Sequence, residues 1–249
     1  MAGLVIDGSS PLAVVSSTAT VTGAPFSPPA NPLLLAAWAG NSTPNVTPPG
    51  PPIPSSSPSQ TWLQDAWDHR GSGSPTLNGQ AAFFHSVISG TPGSSTVSML
   101  NGSPANGECG AVLKCYVLTG HDPVAPIGQT GGGRASSPSS ITASYVASIS
   151  GGQGFMVVSD WMATDPAAWS VGSGCTVVDY GINGIETSWM VLRRTDPDGI
   201  LGVTTDMIVN GISGTTQIHY AYAEVISLEA AIAAATAAGY AGSPNPPMF

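Results

Sequence analysis

The fold class is decided by one stretch of the chain, Ile185-Glu186-Thr187-Ser188-Trp189-Met190-Val191-Leu192-Arg193. Successive side chains of a β-strand point to opposite faces of its sheet, so the stretch has two faces. One face carries Ile185, Thr187, Trp189 and Val191, and the other carries Glu186, Ser188, Met190 and Leu192. Because the second face is only partly polar, the stretch indicates a strand that another layer or subunit covers.

Ten further stretches of the same character follow one another along the chain, each bounded by Gly, Pro, Asn, Asp or Ser. Their β-branched and aromatic residues suit a pleated, half-buried surface. Short strands separated by frequent turn signals predict an all-β protein, an antiparallel β-sandwich of the jelly-roll kind. These stretches cover residues 12–22, 33–39, 81–88, 95–100, 111–118, 141–149, 155–160, 175–180, 203–209 and 217–226.

Two segments between the predicted strands are rich in turn residues. Residues 43–59 contain seven prolines, which favour extended polyproline II backbone and exclude the interior of a sheet. We interpret this Pro-rich segment as a stiff surface loop, with a proline-motif ligand for another protein as the alternative. Residues 128–138 combine four glycines with serines and predict a flexible Gly/Ser-rich loop. No GK[ST] signature follows these glycines, which argues against a phosphate-binding loop.

The C-terminal segment differs from the predicted β-sandwich domain, residues 1–226. Residues 227–239 predict a short Ala-rich helix, with Ser227 as N-cap, Glu229 in the first turn and Gly239 as the stop. A helix this short is not stable alone, so it must dock on a surface. Residues 240–249 predict an extended arm that packs on a neighbouring molecule, with a docked intramolecular tail or a disordered tail as alternatives. The candidate assembly contacts are Leu228, Ile232, Tyr240, Pro246, Pro247, Met248 and Phe249.

The charge composition excludes some classes of function. Among 249 residues there are 5 Lys and Arg against 14 Asp and Glu, which gives a net charge of −9. A chain whose single lysine is Lys114 has no basic patch, so we predict no nucleic-acid binding. The N-terminus lacks the basic and apolar regions of a signal peptide, and no stretch has 18 apolar residues. We therefore expect synthesis in a cytoplasm without a signal peptide, and no membrane insertion.

The candidate chemical groups form no strong catalytic motif. The histidines lie in no HxH or HExxH pattern, and no GxSxG sequence marks a nucleophile, so we predict no enzyme, no metal and no cofactor. Trp62, Asp65 and Trp67 form a candidate glycan-binding site, because a carboxylate beside aromatic rings suits a sugar, although the tryptophans can instead fill the core. Calcium binding is the alternative to the absence of a metal, with the carboxylates of Asp160, Asp165 and Asp179 as its ligands.

The three cysteines are predicted to be small buried hydrophobic residues, with a Cys109–Cys115 disulfide as the alternative. They are Cys109, Cys115 and Cys175.

Several short motifs follow one another in a specific order and spacing. They are Leu33-Leu34-Leu35-Ala36-Ala37-Trp38; Thr61-Trp62 with Trp67 and Arg70; Gly79-Gln80-Ala81-Ala82-Phe83-Phe84; Val117-Leu118-Thr119-Gly120; Gly152-Gln153-Gly154-Phe155 with Ser159-Asp160-Trp161; and Tyr220-Ala221-Tyr222-Ala223-Glu224-Val225-Ile226. Together they resemble a β-sandwich module of actinobacterial phage structural proteins, often minor tail proteins, and of some bacterial surface proteins. The resemblance covers residues 10–226 and excludes the Pro-rich segment and the C-terminal helix.

The resemblance implies a non-enzymatic virion structural protein and supplies no catalytic residues. We expect a minor tail protein of the distal tail or fibre region, made in the host cytoplasm and located in the virion. The alternatives are a capsid decoration protein of the same fold, attached to the head, and a glycan-binding surface module. The expected partners are further copies of the chain, with a trimer expected by analogy with tail fibres, and other virion proteins. A host cell-surface glycan is the further alternative partner.

Overall fold

The computed structural model of the chain describes residues 3–16, 20–42, 53–69, 78–100, 110–136, 138–160, 165–183, 187–194, 200–213 and 217–241. Strands dominate these residues, and a single turn of 3-10 helix at Pro166–Ala168 and one α-helix complete them. The strands are β1 (Val5–Ile6), β2 (Val14–Ser16), β3 (Thr20–Thr22), β4 (Leu33–Ser42), β5 (Ser55–Ser57), β6 (Leu63–His69), β7 (Asn78–Val87), β8 (Thr96–Leu100), β9 (Ala111–Thr119), β10 (Ile127–Ser136), β11 (Ser140–Val146), β12 (Gln153–Asp160), β13 (Ser170–Val171), β14 (Cys175–Asn183), β15 (Thr187–Arg194), β16 (Thr204–Asn210) and β17 (Gln217–Val225); the helix is α1 (Leu228–Ala241).

The strands form four antiparallel sheets. Sheet I has the order β1-β9-β4-β7-β6, with β2 also paired to β9, and sheet II has the order β10-β17-β12-β15-β14. Two smaller sheets, sheet III (β11-β16-β13) and sheet IV (β3-β8-β5), have three strands each. The predicted all-β antiparallel sandwich is therefore confirmed, and it carries an additional sheet on each side.

Three apolar cores separate the four sheets and fix their order as IV, I, II, III. The central core lies between sheets I and II and contains side chains such as Leu35 and Phe155. A second core, between sheets I and IV, contains Trp38 and Met99. A third core, between sheets II and III, contains Met190 and Met207. Sheets I and II are thus buried on both faces, which explains why their strands read as nearly continuous apolar runs.

Strand β15 shows how the deciding stretch is used. Trp189 and Val191 point into the central core, whereas Met190 and Leu192 point into the core between sheets II and III. The partly apolar second face is therefore covered by another layer of the same chain. Residues 185 and 186 lie outside the described residues.

The predicted flexible loop at residues 128–138 is wrong, because most of it lies in β10, an edge strand paired with β17. Gly131 lies directly opposite Tyr222, and Gly133 lies directly opposite Tyr220. A Cβ at Gly133 would lie 2.7 Å from Tyr220 Oη, and one at Gly131 would lie 2.6 Å from Tyr222 Oη. The glycines therefore make room for cross-strand aromatic rings, a device that stabilises glycine-rich edge strands.

Two other expectations need correction. The Pro-rich segment is not entirely loop: Ser55–Ser57 forms β5 and pairs with β8, while residues 43–52 lie outside the described residues. Helix α1 continues past Gly239 to Ala241, since the glycine's cost of ~1 kcal/mol does not end a helix made mostly of alanine. Its start is as predicted: Ser227 Oγ accepts a hydrogen bond from Ala230 N at 3.1 Å, the geometry of an N-cap.

Candidate functional site

One end of the gap between sheets I and II holds several buried polar side chains, among them His219, Gln217 and Asp160. Strands β4, β6, β12 and β14 end there, and β7, β9, β15 and β17 begin there. We call this end of the sandwich the loop end. Connections at one end of a rigid sandwich are where binding and catalytic residues usually concentrate, so the loop end is the candidate site.

The centre of the loop end is an aspartate–histidine pair. Asp68 Oδ2 on β6 lies 2.6 Å from His219 Nδ1 on β17, and the His219 side chain is 1% exposed. On the other side of the ring, Nε2 lies 3.3 Å from Gln217 Oε1. Gly79 leaves the space for this ring, since a Cβ there would lie 2.3 Å from His219 Cδ2. The pair therefore links the two central sheets.

A second aspartate–histidine pair lies within sheet I. Asp65 Oδ1 lies 2.6 Å from His85 Nδ1, and the two side chains are 4% and 11% exposed. Asp65 reaches His85 because the pairing of β6 with β7 shifts between Gln64 and Ala66, as in a β-bulge. Burial raises the pKa of Asp65, and the contacts with His85 oppose that rise. Its second oxygen, Oδ2, is buried and makes no hydrogen bond with any described residue.

Ser159 lies beside the first pair, so the loop end contains the three residue types of a Ser-His-Asp catalytic triad. Ser159 on β12 lies directly opposite His219 on β17. However, His219 Nε2 faces Gln217 Oε1, and no hydrogen bond joins Ser159 to the ring within the described part of the chain. An oxygen atom lies within 3.3 Å of each ring nitrogen, so both nitrogens already have partners other than Ser159. The arrangement orients an imidazole between two sheets and does not present it as a base to Ser159.

The three predicted glycan-binding residues do not share one surface. Trp62 is 7% exposed and belongs to the core between sheets I and IV, against which Trp67 also packs. Trp62 Nε1 donates to Ser56 Oγ at 3.3 Å. The Asp65 carboxylate instead bonds to His85, on the side of sheet I that faces sheet II. Glycan binding by Trp62, Asp65 and Trp67 stays a prediction, and these three side chains do not lie on the same side of sheet I.

The three carboxylates considered for calcium are separated. Asp165 caps the 3-10 turn by accepting from Ala167 N at 2.9 Å, and Asp179 Oδ2 lies 3.0 Å from Lys114 Nζ. Asp160 is fully buried at the end of β12. Within the described ranges, no group of three or more His, Cys, Asp or Glu side chains is arranged to hold a metal ion.

The predicted assembly and cysteine residues fall partly outside the described residues. Leu228 and Ile232 are exposed on α1, and the Tyr240 side chain and residues 246–249 lie outside what the structure describes. Cys115 is buried and free, so it forms no disulfide with Cys109, which is not among the described residues; burial raises the pKa of the Cys115 thiol to about 12.

In the described chain, no helix has the length and apolar character needed to cross a membrane.

Sequence reasoning missed one buried carboxylate, at the opposite end of sheet II. Glu224 is fully buried and accepts hydrogen bonds from Gln129 N at 2.9 Å and from Ser148 Oγ at 2.5 Å. Gly128 and Gly152 adjoin it, since a Cβ at either position would lie within 2.4 Å of a Glu224 oxygen. The two glycines are the signal that sequence offered, but nothing in the sequence connects them to this glutamate. The group is satisfied by backbone donors and anchors the turn at Ser148.

No protein-family model matches the chain, and a search of curated proteins also finds no match.

Proposed function

We propose that this chain is a non-enzymatic structural protein of a bacteriophage virion, a minor tail protein of the distal tail or fibre region that acts in assembly or host attachment. Its partners in this proposal are other virion proteins and further copies of itself.

The observation that carries the proposal is where the motifs of the phage module lie in the fold. Four of them fall in β4, β7, β12 and β17. Strands β4 and β7 are neighbours at the centre of sheet I, and β12 and β17 are neighbours in sheet II. All four strands contribute to the central core. These four motifs thus supply residues that pack the two central sheets against each other.

The chemistry of the polar groups supports a structural role. At the loop end, His219 is held between Asp68 and Gln217. Toward the other end of β7, Asp65 is held by His85. The buried carboxylate of Glu224 is occupied by backbone donors. These groups connect layers of the sandwich, and each is used in holding the fold.

Electron microscopy of phage particles labelled with gold-conjugated antibody against this chain tests the proposal, with mass spectrometry of purified particles as an independent readout. Gold at the distal tail is the expected result. Gold spread over the head would replace the tail assignment with the capsid decoration alternative. Absence of the chain from purified particles would overturn the virion proposal as a whole.

A further inference from the structure

Helix α1 contacts the sandwich mainly through its first turn. Ala230 is buried, and a Cβ at Gly151 would lie 3.1 Å from Ala230 Cβ. Every side chain from residue 232 to residue 238 is exposed. A helix of 14 residues is marginal without tertiary contacts. The contacts of the first turn therefore decide whether α1 stays folded against the sandwich.

A single bridge between two strand ends holds this first turn in place. His121, just after β9, pairs with Ser227, which is the N-cap of α1. Two backbone hydrogen bonds of 2.9 Å flank the bridge, from Asp122 N to Ile226 O and from Leu228 N to Gly120 O. We call residues 120–122 and 226–228 the root of α1. The root lies beyond the ends of β9 and β17, so its opening breaks no strand pairing within sheets I and II.

The imidazole of His121 is buried in the root without a hydrogen bond. The residue is 6% exposed, and neither Nδ1 nor Nε2 makes a hydrogen bond with any described residue. His85 and His219, by contrast, each contact an aspartate carboxylate, which is a partner for a charged ring. A buried charge without a partner is costly. Uptake of a proton by His121 therefore destabilises the closed root.

The charged groups near the root do not supply that partner. The charged residues of the elements that meet there are Asp122, Glu229 of α1, Glu224 of β17, Lys114 of β9 and Asp7 after β1. Asp122 Oδ1 accepts from Val124 N, and Glu229 is exposed. The other three are bonded to Ser148, Asp179 and Ser9, respectively.

The balance at the ring favours the neutral form. Burial lowers the pKa of His121, and the Asp122 carboxylate and the backbone of Leu118 oppose this fall without cancelling it. In a released root the ring is in water and returns to its ordinary pKa of 6.5. The released state therefore binds the proton more tightly, and the attachment of α1 weakens as the pH falls below 6.5.

We propose that His121 makes the attachment of α1 acid-sensitive: when the buried imidazole takes up a proton, the bridge to Ser227 opens and α1 leaves the sandwich, while the central sheets stay folded. The released helix unwinds, because a helix of this length is not stable alone. The proposal rests on the root of α1 and does not depend on the virion assignment.

Hydrogen exchange of the full chain, measured by mass spectrometry and corrected for the intrinsic effect of pH on exchange, tests the proposal. We expect the protection factors of the first turns of α1 to fall at least ~fivefold between about pH 7.5 and about pH 5. Strand β12, at the centre of sheet II, should keep its protection within about twofold. Protection of α1 that does not change with pH would overturn the proposal. So would an equal fall in β12, since the whole fold would then open.

Three variants assign the effect to a group. His121→Phe places an uncharged ring in the root and should reduce the fall in α1 protection to less than about twofold. Asp122→Asn keeps the oxygen that accepts from Val124 N but removes the charge that opposes burial, so the fall should be larger than in the wild type. Glu229→Gln is the matched control in the first turn and should leave the fall unchanged.

The variants also state what contradicts the assignment. A fall that persists in His121→Phe, or one that Glu229→Gln abolishes, belongs to another group and would overturn the proposal. Circular dichroism shows whether His121→Phe is folded. If it is not, Asp122→Asn decides, because an equal or smaller fall in that variant is incompatible with titration of the ring beside it.

Discussion

Asp68 and His219 join the two central sheets of the protein through a 2.6 Å contact between Oδ2 and Nδ1, although 151 positions separate them in sequence. Asp68 comes from the edge strand β6 of sheet I, and His219 comes from β17 of sheet II. The histidine is almost fully buried, whereas the Asp68 side chain is 18% exposed. The contact therefore holds the edge strand β6 of sheet I to β17 of sheet II at the loop end of the sandwich.

Removal of the carboxylate should destabilise the fold. Asp68→Ala leaves a buried imidazole nitrogen without its partner, which costs about 2–4 kcal/mol in the free energy of unfolding. Urea denaturation measures this loss. Asp122→Ala is the control, because the bond that Asp122 Oδ1 accepts from Val124 N lies within one loop, and we expect it to cost less than about 1 kcal/mol. Equal costs for the two variants would contradict a linking role for Asp68.

The raised pKa of Asp65 gives an unusual pH dependence. Burial favours the protonated carboxyl, so the folded chain binds the proton more tightly than the unfolded chain does. Between the ordinary pKa of 3.8 and the raised folded value, the Asp65 contribution to stability falls as pH rises. Asp65→Asn removes this titration. We expect the unfolding free energy of Asp65→Asn, relative to wild type, to increase with pH across this window.

Denaturation of both proteins in steps of pH, from about 3.5 to 6, provides the measurement. Asp7→Asn is the matched control, because hydrogen bonds from Ser9 lower the pKa of Asp7 and its pH trend has the opposite sign. A flat or falling difference for Asp65→Asn would show that His85 outweighs burial at this carboxyl.

The glycines of β10 should be intolerant of side chains. Gly133→Val introduces a residue that normally favours strands, but its Cβ would overlap the Tyr220 ring. We expect a loss of about 2 kcal/mol in unfolding free energy. Thr130→Val in the same strand controls for strand propensity and should be nearly neutral. The double variant Gly133→Val with Tyr220→Ala should lose less unfolding free energy than the sum of the losses in the two single variants. Full additivity would mean that the ring does not occupy this space.

Strands β15, β10 and β6 show which parts of the fold can be predicted from the sequence. Alternation around Trp189 and Met190 is a local property, so it predicts a strand with two covered faces. The role of Gly133 depends on a tyrosine in another strand, so its local signal is that of a loop. Strand β6 is missed because the inserted Asp65 breaks its alternation. The aspartate–histidine pairs have no local signal, since the layers that bring them together are set by the packing of whole sheets.

The candidate glycan residues lead to a last prediction, because a core tryptophan and a sugar-stacking tryptophan respond differently to removal. Trp62→Ala should cost about 3–5 kcal/mol in unfolding free energy, since the side chain fills the core between sheets I and IV. Leu63→Ala is the adjacent control, and it should change stability little because Leu63 is 55% exposed. Thermal unfolding measures both variants, and a glycan microarray screens wild type, Trp67→Ala and Asp65→Ala. Because the tryptophans and the Asp65 carboxylate face different sides of sheet I, we expect no glycan signal that both Trp67→Ala and Asp65→Ala abolish. A wild-type signal lost in both variants at unchanged melting temperature would restore these residues as one glycan-binding site.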